Sequence, residues 1–210
     1  MSAPDRQRAL GLYRRKASTY DRLALPTRRI RRHAVARMQL RPGQTVIDVA
    51  CGTGLTFSLL EEGIGTEGRL IGIDLSAEML EVAKQRIAGE GWKNVTLIES
   101  PVEEAEIPVP ADAALFFLSH DVMRSPAAIA NVTGHLRPGG RVVSMGPKCA
   151  PRWAVPVNMV MHRIARRYVT TSEGFERPWE YLAEVVPDLE VKGLLAGGAY
   201  LAWGRVAEPR

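Results

Sequence analysis

The chain has 210 residues, of which 46% are hydrophobic and 24% charged. These are the length and proportions of one globular unit with a sizeable core, which excludes wholesale disorder, and no apolar run approaches the roughly 20 residues of a membrane-spanning helix. The net charge of +5 is unevenly held: residues 1–41 carry twelve Lys/Arg against two Asp, whereas residues 42–210 carry sixteen against twenty-one acids.

The first forty residues read as helical with a break at Ser18-Thr19-Tyr20-Asp21. In the second stretch, from Arg28 to Leu40, Ile30, Ala34 and Met38 fall at helical spacing and the arginines take the opposite face. Arg41-Pro42-Gly43 ends it. Strands and helices then alternate. Thr45–Val49 is a buried strand, followed by the glycine-rich Cys51-Gly52-Thr53-Gly54 and a helical run to Glu62. Leu70–Asp74 is the second strand, and Ser76 caps a helix whose apolar face holds Met79, Leu80, Ala83 and Ile87. Val95–Glu99 and Ala113–Leu118 are the next strands. Ser125-Pro126 opens a helix that runs to Leu136, and Pro138-Gly139-Gly140 turns into the strand Arg141–Met145. Leu189–Leu195 and Tyr200–Val206 read as an antiparallel pair. The pattern predicts an α/β, Rossmann-like three-layer sandwich, mostly parallel and seven-stranded, with that pair at its C-terminal end.

Two cysteines, Cys51 and Cys149, are too few for a disulfide framework, and no Cys/His spacing suggests a metal site. A reducing, cytoplasmic setting is expected, and the N-terminus lacks the apolar stretch of a secretory signal.

Function is concentrated in Val46-Ile-Asp-Val-Ala-Cys-Gly-Thr-Gly54. A glycine-rich turn between a first strand and a helix lets a ligand approach the backbone. Asp74, at the end of the second strand, lies twenty residues beyond Gly54, a spacing that suits a carboxylate accepting ribose hydroxyls. A nicotinamide dinucleotide is the first ligand to test. Its fingerprint needs a third glycine where this chain has Phe57, and Asp48 would set negative charge beside phosphates. A ligand with a ribose, a cationic centre and no phosphate fits better, as S-adenosylmethionine does.

At these residues the chain resembles a known family. Asp48-Val-Ala-Cys-Gly-Thr-Gly54, Gly72-Ile-Asp-Leu-Ser-Ala-Glu-Met79 and Leu136-Arg-Pro-Gly-Gly-Arg-Val143 are similar, in order and spacing, to motifs of class I S-adenosylmethionine-dependent methyltransferases. Tyr20-Asp21 resembles the ubiquinone/menaquinone-type and phospholipid N-methyltransferase subgroup. The resemblance implies a single domain over residues 1–210, with residues 1–41 a basic helical lid and 147–179 an acceptor-site insertion. It implies S-adenosylmethionine as cofactor, S-adenosylhomocysteine as product, and a small molecule or lipid as acceptor.

Carried over by position, Asp48, Ala50, Gly52 and Gly54 would line the methionine end, with Asp48 near the ammonium through water or backbone. Asp74 would hold the ribose hydroxyls, and Leu75 and Met79 would pack on the adenine. Many relatives have Gly-Asp-Ala after the third strand, where this chain has Ser100-Pro101-Val102. Ser100 can accept the adenine amine through its hydroxyl, and Pro101 leaves Val102 as the amide donor. Leu118 and Ser119 would sit beside the sulfonium. The resemblance leaves two further readings open: other sulfonium chemistry at the same site, as aminocarboxypropyl transfer or cyclisation, or cofactor binding without turnover.

Methyl transfer needs alignment and dryness more than acid–base help, and a base only where the acceptor loses a proton. His120, directly after strand four, is the candidate catalytic base, against a plain role in capping the next helix. Tyr13 and Tyr20 are lid candidates, Tyr13 otherwise a core aromatic. Trp153 and Met159 are acceptor-pocket candidates, against a helix whose methionines face the core. The basic N-terminal segment is read first as a solvated face, second as peripheral contact with anionic lipid, with nucleic acid excluded for want of a binding module.

Overall fold

The structure is a computed structural model that describes residues 21, 24–151, 153–155, 157–159 and 174–207. Helix α1 (Arg28–Met38) leads into β1 (Thr45–Val49), α2 (Phe57–Ile64), β2 (Arg69–Asp74), α3 (Ala77–Glu90) and β3 (Val95–Glu99). There follow β4 (Ala111–Phe117), the short α4 (His120–Met123), α5 (Pro126–Gly134), β5 (Leu136–Pro147), α6 (Glu180–Val185), β6 (Glu190–Leu194) and β7 (Ala199–Arg205). The seven strands form one sheet in the order β3-β2-β1-β4-β5-β7-β6. Strands β1 to β5 are parallel, and β7 runs antiparallel to both β5 and β6.

Alternation along the strands divides the core in two. Val46, Leu70, Leu115 and Val143 face one side, where Ala34 and Met38 of α1, Phe57 and Leu60 of α2, and Leu80 and Ala83 of α3 cover them. Ile47, Ile71, Ala114, Phe116 and Val142 face the other, under Ala128, Ile129 and Val132 of α5 and Leu182 of α6. Both faces are dry, so β1 reads as a continuous apolar run interrupted only by Asp48.

Local chemistry sets most boundaries. The Ser76 hydroxyl accepts the Met79 amide at 3.3 Å and Gly91 ends α3 in the left-handed region. The Ser125 hydroxyl accepts the Ala128 amide at 3.2 Å, with Pro126 at the first helical position. Some boundaries differ from the sequence reading. Helix α5 stops at Gly134, because the His135 carbonyl accepts the Ala111 amide at 2.8 Å and Leu136 already pairs with Ala111. Strand β5 therefore includes Pro138-Gly139-Gly140, and the register shifts between Ala111 and Ala113 to accommodate them. Helix α2 begins only at Phe57, after turns through residues 52–56.

The arginines of α1 do not all take the outer face. Arg31 is 6% exposed, with its guanidinium 5.0 Å from the Phe117 ring centroid and Nη2 donating to Thr27 Oγ1 at 3.0 Å. Arg37 stacks over Trp203 at 4.0 Å, and its carbonyl accepts from Arg141 of β5, level with Ala113 near the start of β4. These contacts fix the direction of α1: it runs antiparallel to β4 and β5, so its first turn lies at the carboxyl edge of the sheet.

Candidate cofactor and acceptor site

The strand order reverses between β1 and β4, which opens a crevice at their carboxyl ends. Two non-glycine residues there take left-handed backbone, Ala50 at φ 54° and Leu118 at φ 57°. Each such residue costs about 1–2 kcal/mol and persists only where surroundings enforce it. The Cys51 amide donates to the Ile73 carbonyl at 3.0 Å, and the Leu118 amide to the Met145 carbonyl at 2.7 Å, which pins both turns to neighbouring strands.

Gly52 (φ 56°) and Gly54 (φ 72°) shape the loop after β1 for different reasons. A Cβ on Gly52 would meet nothing within 4 Å, so this turn offers open backbone to a ligand. A Cβ on Gly54 would fall 2.6 Å from the Phe57 ring. Phe57 is fully buried and reaches Gly72 on β2, whose Cβ would sit 2.9 Å from the ring tip and 3.0 Å from the Cys51 sulfur. The position that lacks the third glycine is thus a core plug. Cys51 itself is buried, which raises its thiol pKa well above the usual range, and it acts in packing.

Asp74 ends β2 with its carboxylate between two amides, Gly52 N–H at 2.8 Å to Oδ2 and Ser76 N–H at 2.9 Å to Oδ1. Burial raises its pKa, and the amides of Ser76, Gly52 and Leu75 oppose the rise. A carboxylate has about four acceptor sites, so these amides still leave room for a ribose hydroxyl. Leu75 beside it is half-buried, whereas Met79 is 2% exposed, so most of the methionine is already covered. Beyond β3, the Ser100 hydroxyl donates to the Pro101 carbonyl at 2.9 Å and keeps its own lone pairs. Val102 is buried at the start of a 3₁₀ turn, Val102–Glu104.

Asp48 is enclosed rather than open to the crevice, at 1% exposure. Thr56 donates its hydroxyl to Oδ2. Burial pushes the carboxyl up to about 7, against the Thr56 hydrogen bond and the Arg31 charge, with Asp74 adding to the rise. Sequence reasoning places Asp48 in the motif, but not its dependence on Arg31.

At the end of β4, Ser119 and His120 are buried. Ser119 Oγ has no hydrogen-bond partner among the described residues. The His120 ring stacks on Phe175, centroids 4.2 Å apart, and the Phe175 carbonyl accepts the Cys149 amide at 2.8 Å. Phe175 therefore covers the His120 ring, a contact no local signal in the sequence announces. Trp153 and Met159 are 81% and 69% exposed. Tyr13 and Tyr20 lie outside the described residues. Asp21 is described, and it joins the site indirectly: Thr53 Oγ1 donates to Oδ1 at 2.6 Å, Arg86 pairs with Oδ2, and Arg86 Nε donates to the Thr53 carbonyl at 3.0 Å.

Ser119 with an unused buried hydroxyl, open backbone at Gly52 and a doubly anchored Asp74 together form a donor–acceptor set that fits an adenosyl ligand with a diol. No group of His, Cys, Asp and Glu suited to a metal ion occurs among the described residues.

Comparison with known proteins finds methyltransferases among those of similar sequence and fold. Residues 46–140 match the family described as a methyltransferase domain. A demethylmenaquinone methyltransferase from Symbiobacterium thermophilum is 30% identical over 118 residues, 54% of this chain and 47% of the relative. A ubiquinone/menaquinone biosynthesis C-methyltransferase from Coxiella burnetii is 30% identical over 130 residues, 58% of this chain and 51% of the relative. The chain thus spans about half the length of the curated relatives it matches. Among solved structures, the N-methyltransferase NodS from Bradyrhizobium japonicum in complex with S-adenosylhomocysteine superposes with a TM-score of 0.71, at 20% identity, over 95% of this chain and 99% of that one. Over residues 46–140 the chain is similar to a methyltransferase domain, and its fold is that of the solved methyltransferase on which it superposes.

Proposed function

We propose that the protein transfers a methyl group from S-adenosylmethionine to a small-molecule or lipid acceptor and releases S-adenosylhomocysteine. The observation that carries this reading is Asp74, held by the Gly52 and Ser76 amides beside the crevice between β1 and β4. The names of the two relatives above extend the proposal to a quinone-like acceptor.

When bound, the cofactor supplies a methyl already activated on a sulfonium. Asp74 accepts the ribose hydroxyls, and the open turn at Gly52 takes the methionine end against backbone. The Ser100 hydroxyl and the Val102 amide meet the adenine edge. Leu118 and Ser119 hold the end of β4 against the reacting centre. His120, set at the start of α4 and stacked on Phe175, excludes water there and takes a proton from an acceptor that must lose one. Phe175, stacked on His120, bounds the acceptor side, and Asp21 is anchored to the cofactor loop through Thr53.

Calorimetric titration with S-adenosylmethionine and S-adenosylhomocysteine tests the reading, repeated on Asp74→Ala with its fold checked by thermal melting. Binding by the wild type and a loss of at least a hundredfold in the variant is the expected result. A folded wild type that binds neither compound overturns it. Mass spectrometry of the incubated cofactor separates methyl transfer from chemistry at another sulfonium carbon, since the latter yields methylthioadenosine.

A further inference from the structure

Five large apolar residues, Leu25, Trp153, Val155, Met159 and Leu195, are 57–81% exposed. All belong to one edge of the molecule. Pro147, the last residue of β5, pairs with Ala199, and the Lys148 amide donates to the Gly198 carbonyl at 3.0 Å. A Cβ on Gly197 would lie 2.7 Å from the Pro151 ring, so the 3₁₀ turn Leu195–Gly197 packs on the strand exit that leads to Trp153. The same exit is tied to the site by Phe175 on His120. Leu25 stands just ahead of α1, whose first turn lies at the carboxyl edge because Arg31 sits over Phe117, the last residue of β4.

The exposed charge on the first turns of α1, beside Leu25, is cationic. Arg28, Arg29 and Arg32 are exposed on the first turns of α1, and exposed Glu176 and Arg177 offset each other nearby. Exposed Trp, Met and Leu beside arginines match the boundary between lipid headgroups and acyl chains, where an amphipathic ring and a flexible thioether are buried while guanidinium groups meet phosphate. Each basic residue near an anionic surface adds attraction of its own, and it weakens with salt. A second copy of this chain would set that cationic edge against itself.

We propose that this rim docks on an anionic lipid bilayer, with the five apolar residues entering the interface and the α1 arginines on the phosphates, so that the crevice opens toward the membrane. The inference rests on the reading of that edge as the acceptor side.

The test is sedimentation with vesicles of equal parts phosphatidylglycerol and phosphatidylcholine, against pure phosphatidylcholine. Partition at least tenfold stronger to the anionic vesicles is expected, falling with added salt. Arg28→Gln/Arg29→Gln/Arg32→Gln and Val155→Ser/Leu195→Ser should each weaken it about tenfold, with melting temperature and cofactor titration unchanged. The emission difference between wild type and Trp153→Phe should shift to the blue on binding and be quenched by brominated lipid. Equal partition to both vesicles overturns the proposal. So does sedimentation with Trp153 emission unmoved, or light scattering that finds a dimer with Trp153 already shielded from aqueous quenchers. Vesicle binding without cofactor binding would sink the methyltransferase reading alone, and the reverse would sink the docking surface alone.

Discussion

Phe57 governs the sterics around the cofactor loop more than any glycine does, because its ring presses on both Gly54 and Gly72. Gly72→Ala should cost about 1–3 kcal/mol through overpacking, and Phe57→Leu should relieve part of it. A double-mutant cycle by urea denaturation is expected to give a coupling of about 0.5–3 kcal/mol; additive costs would mean that the ring is not the obstacle. Asp48 is the second residue whose environment makes a definite demand. Its folded pKa is raised from 3.8 to about 7, so its contribution is fully present below the lower value and lost as pH rises through the higher one. Above pH 7 the buried charge costs roughly 4 kcal/mol relative to the protonated form. Asp48→Asn should therefore melt higher than wild type at pH 8.5, with the difference shrinking toward pH 5. Thermal melts across that range check the sign, and a difference that grows toward acid pH would contradict it. Arg31→Met, which removes a positive charge that lowers the Asp48 pKa, should move the inflection to higher pH.

Elements were legible in the sequence where a cap or a period announced them: Ser76 and Ser125 with its proline, the alternating strands, the antiparallel pair at the end. What the sequence did not announce are the ties between elements. Asp21 and Arg86 are 65 positions apart, yet with Thr53 they join the segment before α1 to the cofactor loop and to α3. Periodicity speaks only to near neighbours, so a pair like this has no local signature. Arg86→Gln should raise the Kd for S-adenosylhomocysteine about tenfold, because it frees the Thr53 carbonyl and Asp21 together. Its effect on stability should stay below about 1 kcal/mol, since both partners are part exposed. Calorimetry beside urea denaturation distinguishes this from a fold defect, which would move both. The stack of Phe175 on His120 is a second such tie. His120→Ala is expected to lower turnover about a hundredfold with cofactor affinity unchanged, and equal losses in both would return His120 to a structural role.

At the scale of the molecule, the reversal of strand order between β1 and β4 could be expected from the βαβ alternation, and the first motif, Asp74 and the β4 exit converge there because parallel strands all end on one side. The rim was less legible: Trp153 and Met159 are 81% and 69% exposed, and the packing of the Gly197 turn on Pro151 joins residues far apart in the chain. This division has a thermodynamic consequence. The loop after β1, the Asp74 turn and the β4 exit all contribute to one ligand site, and each belongs to the central strands on which both cores pack. Cofactor bound there should stabilise the whole fold, not a peripheral loop. At a hundredfold excess over Kd the linkage is about 2.7 kcal/mol, which for a chain of this size raises Tm by about 5–10 °C. The rise should be the same by circular dichroism, which follows the sheet and helices, and by tryptophan emission. Asp74→Ala should abolish it. A shift seen in emission alone, and lost with Trp153→Phe, would mean that the ligand orders only the edge near Trp153, and that the central strands do not carry the site.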